Sequence, residues 1–185
     1  TLGIVGLGKV GSEVARRARA FEMTVIAFDP YVADERARGI GVEMVDMDGL
    51  LGGSDYISIH TPLTAGTKSL IGAQEFAKLK PGVRIVNAAR GGLVDEALLD
   101  AALTNGQVAG AALDVFTSEP PKDLPLLENP KLIMTPHLGA STEEAQVEVA
   151  IEVVDQVLTV LGGQSAQYTI NVPFLPGDVR EALAP

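Results

Sequence analysis

Short apolar runs of roughly four to eight residues alternate along this chain with amphipathic stretches of roughly ten, a rhythm that predicts strands alternating with helices. The strands are expected at Leu2 to Val5, Thr24 to Phe28, Val42 to Val45, Tyr56 to His60, Arg84 to Asn87, Val108 to Asp114 and Leu132 to Met134. Such an order suits one open, doubly wound parallel sheet of Rossmann type, with about seven strands and helices on both faces. Helices are expected from Lys9 to Phe21, Gly72 to Leu79, Asp95 to Leu103, and from Ser141 or Thr142 to about Leu161. In the first of these Val10, Val14, Ala18 and Phe21 are read as the face packed on the sheet, with Arg16, Arg17 and Arg19 largely off it. Lys80-Pro81-Gly82, Asn105-Gly106 and Gly162-Gly163 supply helix stops, and Ser141-Thr142-Glu143-Glu144 offers a capping box. Beyond Gly163 the texture changes: residues 164–168 are polar, Thr169 to Val172 looks strand-like, and Asp178 to Pro185 reads as a helix barely begun. The expected organisation is therefore one domain over residues 1–163 and an appendage over residues 164–185. Both ends read as severed, because the first residue already lies on a core strand and the last segment leads nowhere.

Composition agrees with this pattern and narrows the function. The chain has 185 residues, enough for one domain with a buried core, and is 46% hydrophobic but only 4% aromatic. No apolar run approaches the roughly 20 residues that span a bilayer, so no membrane association is expected. There is no cysteine, which excludes disulfides and thiolate chemistry and favours a reducing, cytoplasmic setting. The beginning of the chain has neither the charged region nor the cleavage site of a signal peptide. A formal net charge of -10 argues against general nucleic-acid binding, which needs a basic face. An anionic small molecule can still bind an acidic protein through a small local cluster.

The candidate chemistry begins at Gly6-Leu7-Gly8-Lys9-Val10-Gly11, which follows an apolar strand and opens an amphipathic helix. In that setting Gly6 makes the tight turn, Gly8 lets backbone approach a pyrophosphate, and Gly11 allows close helix packing. The amides of Lys9 and Val10 then face the phosphates at the positive end of the helix. Asp29 closes the next strand, 18 residues after Gly11. A carboxylate there accepts hydrogen bonds from a free ribose 2'-hydroxyl and repels a 2'-phosphate, which points to NAD rather than NADP. The same Asp before Pro30 also suits a turn cap, and methyltransferases use a comparable loop and acid, so this pair alone leaves the class open.

In a doubly wound sheet ligands bind where strands end, so the polar residues at those ends carry weight. His60-Thr61-Pro62-Leu63, Asn87-Ala88-Ala89-Arg90-Gly91-Gly92, Asp114-Val115-Phe116, Glu119-Pro120-Pro121 and Pro136-His137-Leu138-Gly139-Ala140 all fall there. Arg90, between small residues, suits a bidentate carboxylate contact, although a surface ion pair fits its spacing equally. His137 suits proton exchange near neutrality but also a packing role. Glu119 could hold His137 in one tautomer, or stand in solvent before its two prolines.

Together these strings, with Leu93-Val94-Asp95-Glu96, Ala112-Leu113 and Ser141-Thr142 beside them, resemble the D-isomer-specific 2-hydroxyacid dehydrogenases from Thr1 to about Pro173. The resemblance implies an NAD-dependent oxidoreductase acting on a small 2-hydroxy or 2-oxo acid, with no metal. It implies that Arg90 binds the substrate's α-carboxylate and carbonyl, that His137 exchanges the proton of the C2 oxygen, and that Glu119 supports His137. By the same transfer, Gly6, Gly8, Lys9, Val10 and Gly11 meet the pyrophosphate, Asp29 the adenosine ribose, and Thr61 and Pro62 the adenine side. Ala88, Ala89, Arg90 and Asp114 border the nicotinamide side, and His137, Gly139 and Ala140 also meet the cofactor. His60 stays unassigned. The resemblance also implies a companion substrate domain, largely absent from this chain, and a homodimer built through the cofactor domain. NAD binding with little turnover is expected of the chain alone. A glyoxylate or hydroxypyruvate reductase would share every residue named, and an NAD-sensing corepressor is the non-enzymatic alternative.

Overall fold

The computed structural model describes residues 1–166 and divides the chain into two units, Thr1–Gly139 and Ala140–Pro185. In the first unit seven parallel strands form one sheet: β1 (Leu2–Val5), β2 (Val25–Phe28), β3 (Glu43–Met44), β4 (Tyr56–Ile59), β5 (Val83–Asn87), β6 (Val108–Leu113) and β7 (Leu132–Met134). Their order is β3-β2-β1-β4-β5-β6-β7, so the winding reverses between β1 and β4. That reversal opens a crevice at the strand ends, where Val5 lies beside Ile59 and the chain leaves β1 at Gly6 and β4 at His60. The fold is the Rossmann-type α/β sheet that the apolar rhythm predicts. The alternate residues of β1 and β2 explain why both faces are covered. Leu2, Ile4, Val25 and Ala27 bury into one apolar cluster, whereas Val5 and Ile26 bury into a second, larger one.

The helices of this unit are α1 (Lys9–Ala20), α2 (Asp34–Gly39), α3 (Met47–Gly53), α4 (Ala73–Phe76) and α5 (Glu96–Asn105). The packed face of α1 differs in part from the expected one. Gly11, Ala15 and Ala18 are buried, whereas Val10 is 63% and Phe21 82% exposed. Proximity explains Gly11: a Cβ there would sit 2.1 Å from the Gly6 carbonyl oxygen, so glycine meets the loop, while Ala18 is buried and Val14 packs partly buried against the core as expected. Two helices escape the sequence pattern. In α3, Leu50 and Leu51 are buried and Asp46 caps the Gly49 amide at 2.7 Å, but three glycines mask its periodicity. The six residues of α2 bury only Ala37 and give no side-chain cap to read. The expected helix from Gly72 to Leu79 shrinks to α4, where Glu75 reaches back to the Gly72 amide at 3.1 Å. Asp95 caps α5 through the Leu98 amide at 3.0 Å, and Gly106 in the left-handed region ends it.

The second unit contains α6 (Glu143–Leu161), capped by the Thr142 hydroxyl on the Ala145 amide at 3.1 Å. Ala145, not a glutamate, occupies the third helical position, so the expected reciprocal capping box has no acid to complete it. Glu143 and Glu144 instead place negative charge on the first turn, the favourable end of the helix dipole. The strand-like Thr169 to Val172 and the short final helix expected from sequence lie outside the described residues. Among the described residues no helix is long and apolar enough to cross a membrane, and no three His, Cys, Asp or Glu side chains group as metal ligands.

Candidate active site

The glycine loop is shaped by backbone geometry. Gly6 has φ +94°, a region that side-chain-bearing residues rarely adopt, and a Cβ there would lie 2.8 Å from the His60 carbonyl oxygen. The Gly6 amide donates to the Phe28 carbonyl at 2.9 Å, which ties the loop to the end of β2. Nothing lies within 4 Å of a Cβ built on Gly8, so that position opens onto free space in front of the α1 N-terminus. Lys9 and Val10 begin the helix there and are exposed.

Asp29 carries two bonds: Oδ2 accepts the Leu7 amide at 2.8 Å and Oδ1 the Tyr31 amide at 2.9 Å. It therefore bridges the glycine loop and its own turn, combining the turn-cap reading with a place beside the loop. Across the crevice, Thr61 has a buried hydroxyl with no hydrogen-bond partner, and its Cγ2 lies close to Gly6. Such an orphaned group costs free energy unless something fills it. Pro62 beside it is exposed. The positive helix end, the open space at Gly8 and the orphaned Thr61 hydroxyl together fit a dinucleotide. His60 is partly buried, with Nε2 2.8 Å from the Ser58 hydroxyl, and burial pushes its pKa down.

The other side of the site is held by side chains reaching backbone. Asn87, buried at the end of β5, donates to the Arg90 carbonyl at 2.9 Å and accepts the Ala89 amide at 3.0 Å. It thus folds the Ala88-Ala89-Arg90 loop. The Arg90 guanidinium is exposed and donates to the Ala89 carbonyl at 2.6 Å. Asp114, buried where β6 ends, accepts the Leu138 amide at 2.7 Å, the Gly139 amide at 2.8 Å and the Thr135 hydroxyl. Desolvation pushes the Asp114 carboxyl up, but the three donors together outweigh it and hold its pKa below the ordinary 3.8. This clamp fixes the loop on which His137 sits at φ +57°, a strained backbone for a residue with a side chain.

His137 Nδ1 lies 2.7 Å from Glu119 Oε2, and Glu119 Oε1 accepts the Phe116 amide at 3.1 Å. The bond with His137 first, then that with Phe116, hold the Glu119 carboxyl below its ordinary value. The pair lines a cavity of about 490 Å³ together with Asp114, Phe116 and Met134. A second cavity of about 330 Å³, walled by Asn87, Ala88, Asp114, Leu138 and Gly139, adjoins it through Asp114 and Thr135. The fold thus brings Glu119, His137 and Asp114 together, with Ala88 and Gly139 on the neighbouring wall. Arg90 is not part of either wall. Ala140 falls in the second unit. Sequence reading missed Asn87 and Thr135 as supports: their only local signal is a polar residue closing or just following a strand.

Residues 1–139 match the family described as D-isomer specific 2-hydroxyacid dehydrogenase, NAD binding domain. The chain belongs to this family. It is 52% identical over its whole length to the D-3-phosphoglycerate dehydrogenase of Bacillus subtilis, covering 35% of that protein, and 47% identical to that of Archaeoglobus fulgidus, again covering 35%. The chain thus spans about a third of the length of these curated relatives. Among solved structures, a glyoxylate reductase from Paecilomyes thermophila is 43% identical with a TM-score of 0.81, matching 86% of this chain and 48% of that one. D-lactate dehydrogenase of Lactobacillus jensenii, solved with NAD+, is 28% identical with a TM-score of 0.81, matching 92% of this chain and 55% of that one.

Proposed function

We propose that this chain is the cofactor-binding part of an enzyme that oxidises D-3-phosphoglycerate to 3-phosphohydroxypyruvate with NAD, a reaction of serine biosynthesis. The observation that carries the reading is the Glu119 to His137 pair at 2.7 Å beside a cavity at the strand ends. It is supported by relatives named D-3-phosphoglycerate dehydrogenase that match the whole chain.

Gly6, Gly8 and Gly11 with the Lys9 and Val10 amides would hold the pyrophosphate, Asp29 the adenosine ribose, and Thr61 and Pro62 the adenine side. Ala88, Ala89, Asp114 and Gly139 would border the nicotinamide. When bound, NAD supplies the hydride acceptor for C2 of the hydroxy acid. With Nδ1 donating to the Glu119 carboxylate, proton exchange with the C2 hydroxyl falls to His137 Nε2. Glu119 then stabilises the imidazolium that results, and in the reverse direction that imidazolium returns the proton. Arg90 orients the substrate carboxylate through its planar fork. This requires the guanidinium to leave the Ala89 carbonyl.

Residues 1–163 form the cofactor domain in this reading, and residues 164–185 lead toward the substrate domain. The chain alone binds NAD with little turnover. A homodimer through the cofactor domain is part of the proposal, and sedimentation of the full-length protein as a monomer would remove it. The test of substrate is a panel of D-2-hydroxy acids with the full-length protein, in which D-3-phosphoglycerate should give the highest kcat/KM. The likeness to a glyoxylate reductase favours a second reading, reduction of glyoxylate or hydroxypyruvate. A higher kcat/KM for those acids would replace the first reading with it.

A further inference from the structure

We infer that Glu96, in the first turn of α5, is a positioning residue that locks the loop carrying Glu119 against the loop carrying Arg90. The inference rests on the roles proposed above for Arg90, Glu119 and His137. Helix α5 does not need Glu96 as its cap, because Asp95 already serves the Leu98 amide. Glu96 instead reaches across 21 residues of sequence: its Oε1 accepts the Thr117 amide at 2.7 Å and the Thr117 hydroxyl at 2.9 Å. Two donors on one carboxylate oxygen make a charge-assisted clamp rather than a single exchangeable contact.

The clamp closes on a joint with no slack. A Cβ on Gly91 would lie 1.9 Å from the Phe116 carbonyl oxygen and 2.6 Å from the Thr117 nitrogen, so the two loops touch backbone to backbone. On one side of this joint Gly91 follows Arg90, whose loop Asn87 folds. On the other side the Phe116 amide donates to Glu119, which holds His137. Glu96 therefore sits one residue from the backbone group that aims Glu119. A shift of Thr117 away from α5 would carry Phe116, and with it the carboxylate that orients the imidazole.

The test compares the full-length protein with its Glu96→Ala, Glu96→Gln, Thr117→Val and His137→Ala variants. Four readouts serve: kcat, KM for the hydroxy acid, the NAD dissociation constant, and the Glu119 carboxyl titration followed by carbon NMR. Glu96→Ala should lower kcat about 10- to 100-fold, the scale of a small misplacement of catalytic groups. NAD affinity should stay within about twofold, and the Glu119 titration should move up toward that of an ordinary glutamate. Glu96→Gln keeps an acceptor oxygen and should recover most of the loss. Thr117→Val keeps the amide donor and should lose less than Glu96→Ala. If Glu96→Ala does not fold, Thr117→Val must still lower kcat and move the Glu119 titration. A folded Glu96→Ala protein with wild-type kcat and an unmoved Glu119 titration overturns the inference. If His137→Ala is inactive in that experiment, the site reading survives and only Glu96 loses its role; if His137→Ala stays active, both fall.

Discussion

The two sides of the crevice are built in opposite ways. The side formed by β1, α1 and β2 works through missing side chains: Gly6 turns where a Cβ would strike His60, Gly11 lets α1 rest on the loop, and Gly8 faces open space. The side formed by the ends of β5, β6 and β7 works through side chains that grip backbone: Asn87 on residues 89 and 90, Asp114 on residues 138 and 139, Glu119 on Phe116. The first arrangement suits a ligand met by amides and a helix dipole, the second a reaction that needs one imidazole aimed in one direction. Affinity and chemistry should therefore be separable by mutation.

The largest effect expected from that separation is on turnover. His137→Ala in the full-length protein should lower kcat by about two to four orders of magnitude, the usual contribution of general acid-base catalysis, while leaving NAD affinity nearly unchanged. Parallel steady-state kinetics and calorimetry check this, and an equal loss of both would merge the two sides. Next comes the loop itself. Gly11→Ala places a methyl 2.1 Å from a backbone oxygen and should cost about 1 to 3 kcal/mol of stability in denaturant unfolding, with NAD affinity falling as well. Gly8→Ala meets nothing in the protein and should leave stability unchanged while weakening NAD. A Gly8→Ala protein with unaltered affinity would take the pyrophosphate away from that space.

The contrast also explains what was readable in the chain. The glycine spacing and Asp29 are local, so the loop follows from short stretches of sequence, whereas the class is left open by that pair alone. All seven strands are legible to within one residue at each end because apolar runs mark them; the edge strand β3, with only β2 to pair with, keeps two residues. Glu119 and His137 are paired from the sequence, whereas the grip of Asp114 on Leu138, 24 residues away, has no local signal. Only the sheet order brings those loops together. On α1, Val14 and Ala18 pack as their hydrophobicity predicts, whereas Val10 and Phe21 are exposed and the close contact with Gly6 falls to Gly11. The contacts of Thr135 and Glu96 have no local signal for the same reason, as each acts on a partner 21 residues away.

Asp29 tests where the two building styles meet, since it serves the loop with a side chain. Asp29→Ala should weaken NAD about tenfold, the loss of one or two charge-assisted hydrogen bonds, and narrow the preference over NADP. An unchanged ratio of the two dissociation constants would leave Asp29 as a turn cap alone. The smallest effect concerns pH. Asp114 and Glu119 both titrate below their ordinary values of 3.8 and 4.5 in the folded chain, so what they contribute is fully present above those values and is lost as pH falls through the lowered ones. Hydrogen exchange at the Leu138 and Gly139 amides should thus be insensitive to carboxylate titration near neutrality and lose protection only below about pH 4. Asp114→Asn should remove that acid transition, and its persistence would assign the loop's order to other contacts.

The most direct measurement is an amide chemical-shift map of NAD titrated into the 185-residue chain. Two groups of perturbed amides are expected, one at residues 6–11, 29 and 61, the other at residues 88–90, 138 and 139. Saturable shifts that leave both groups untouched would contradict that expectation.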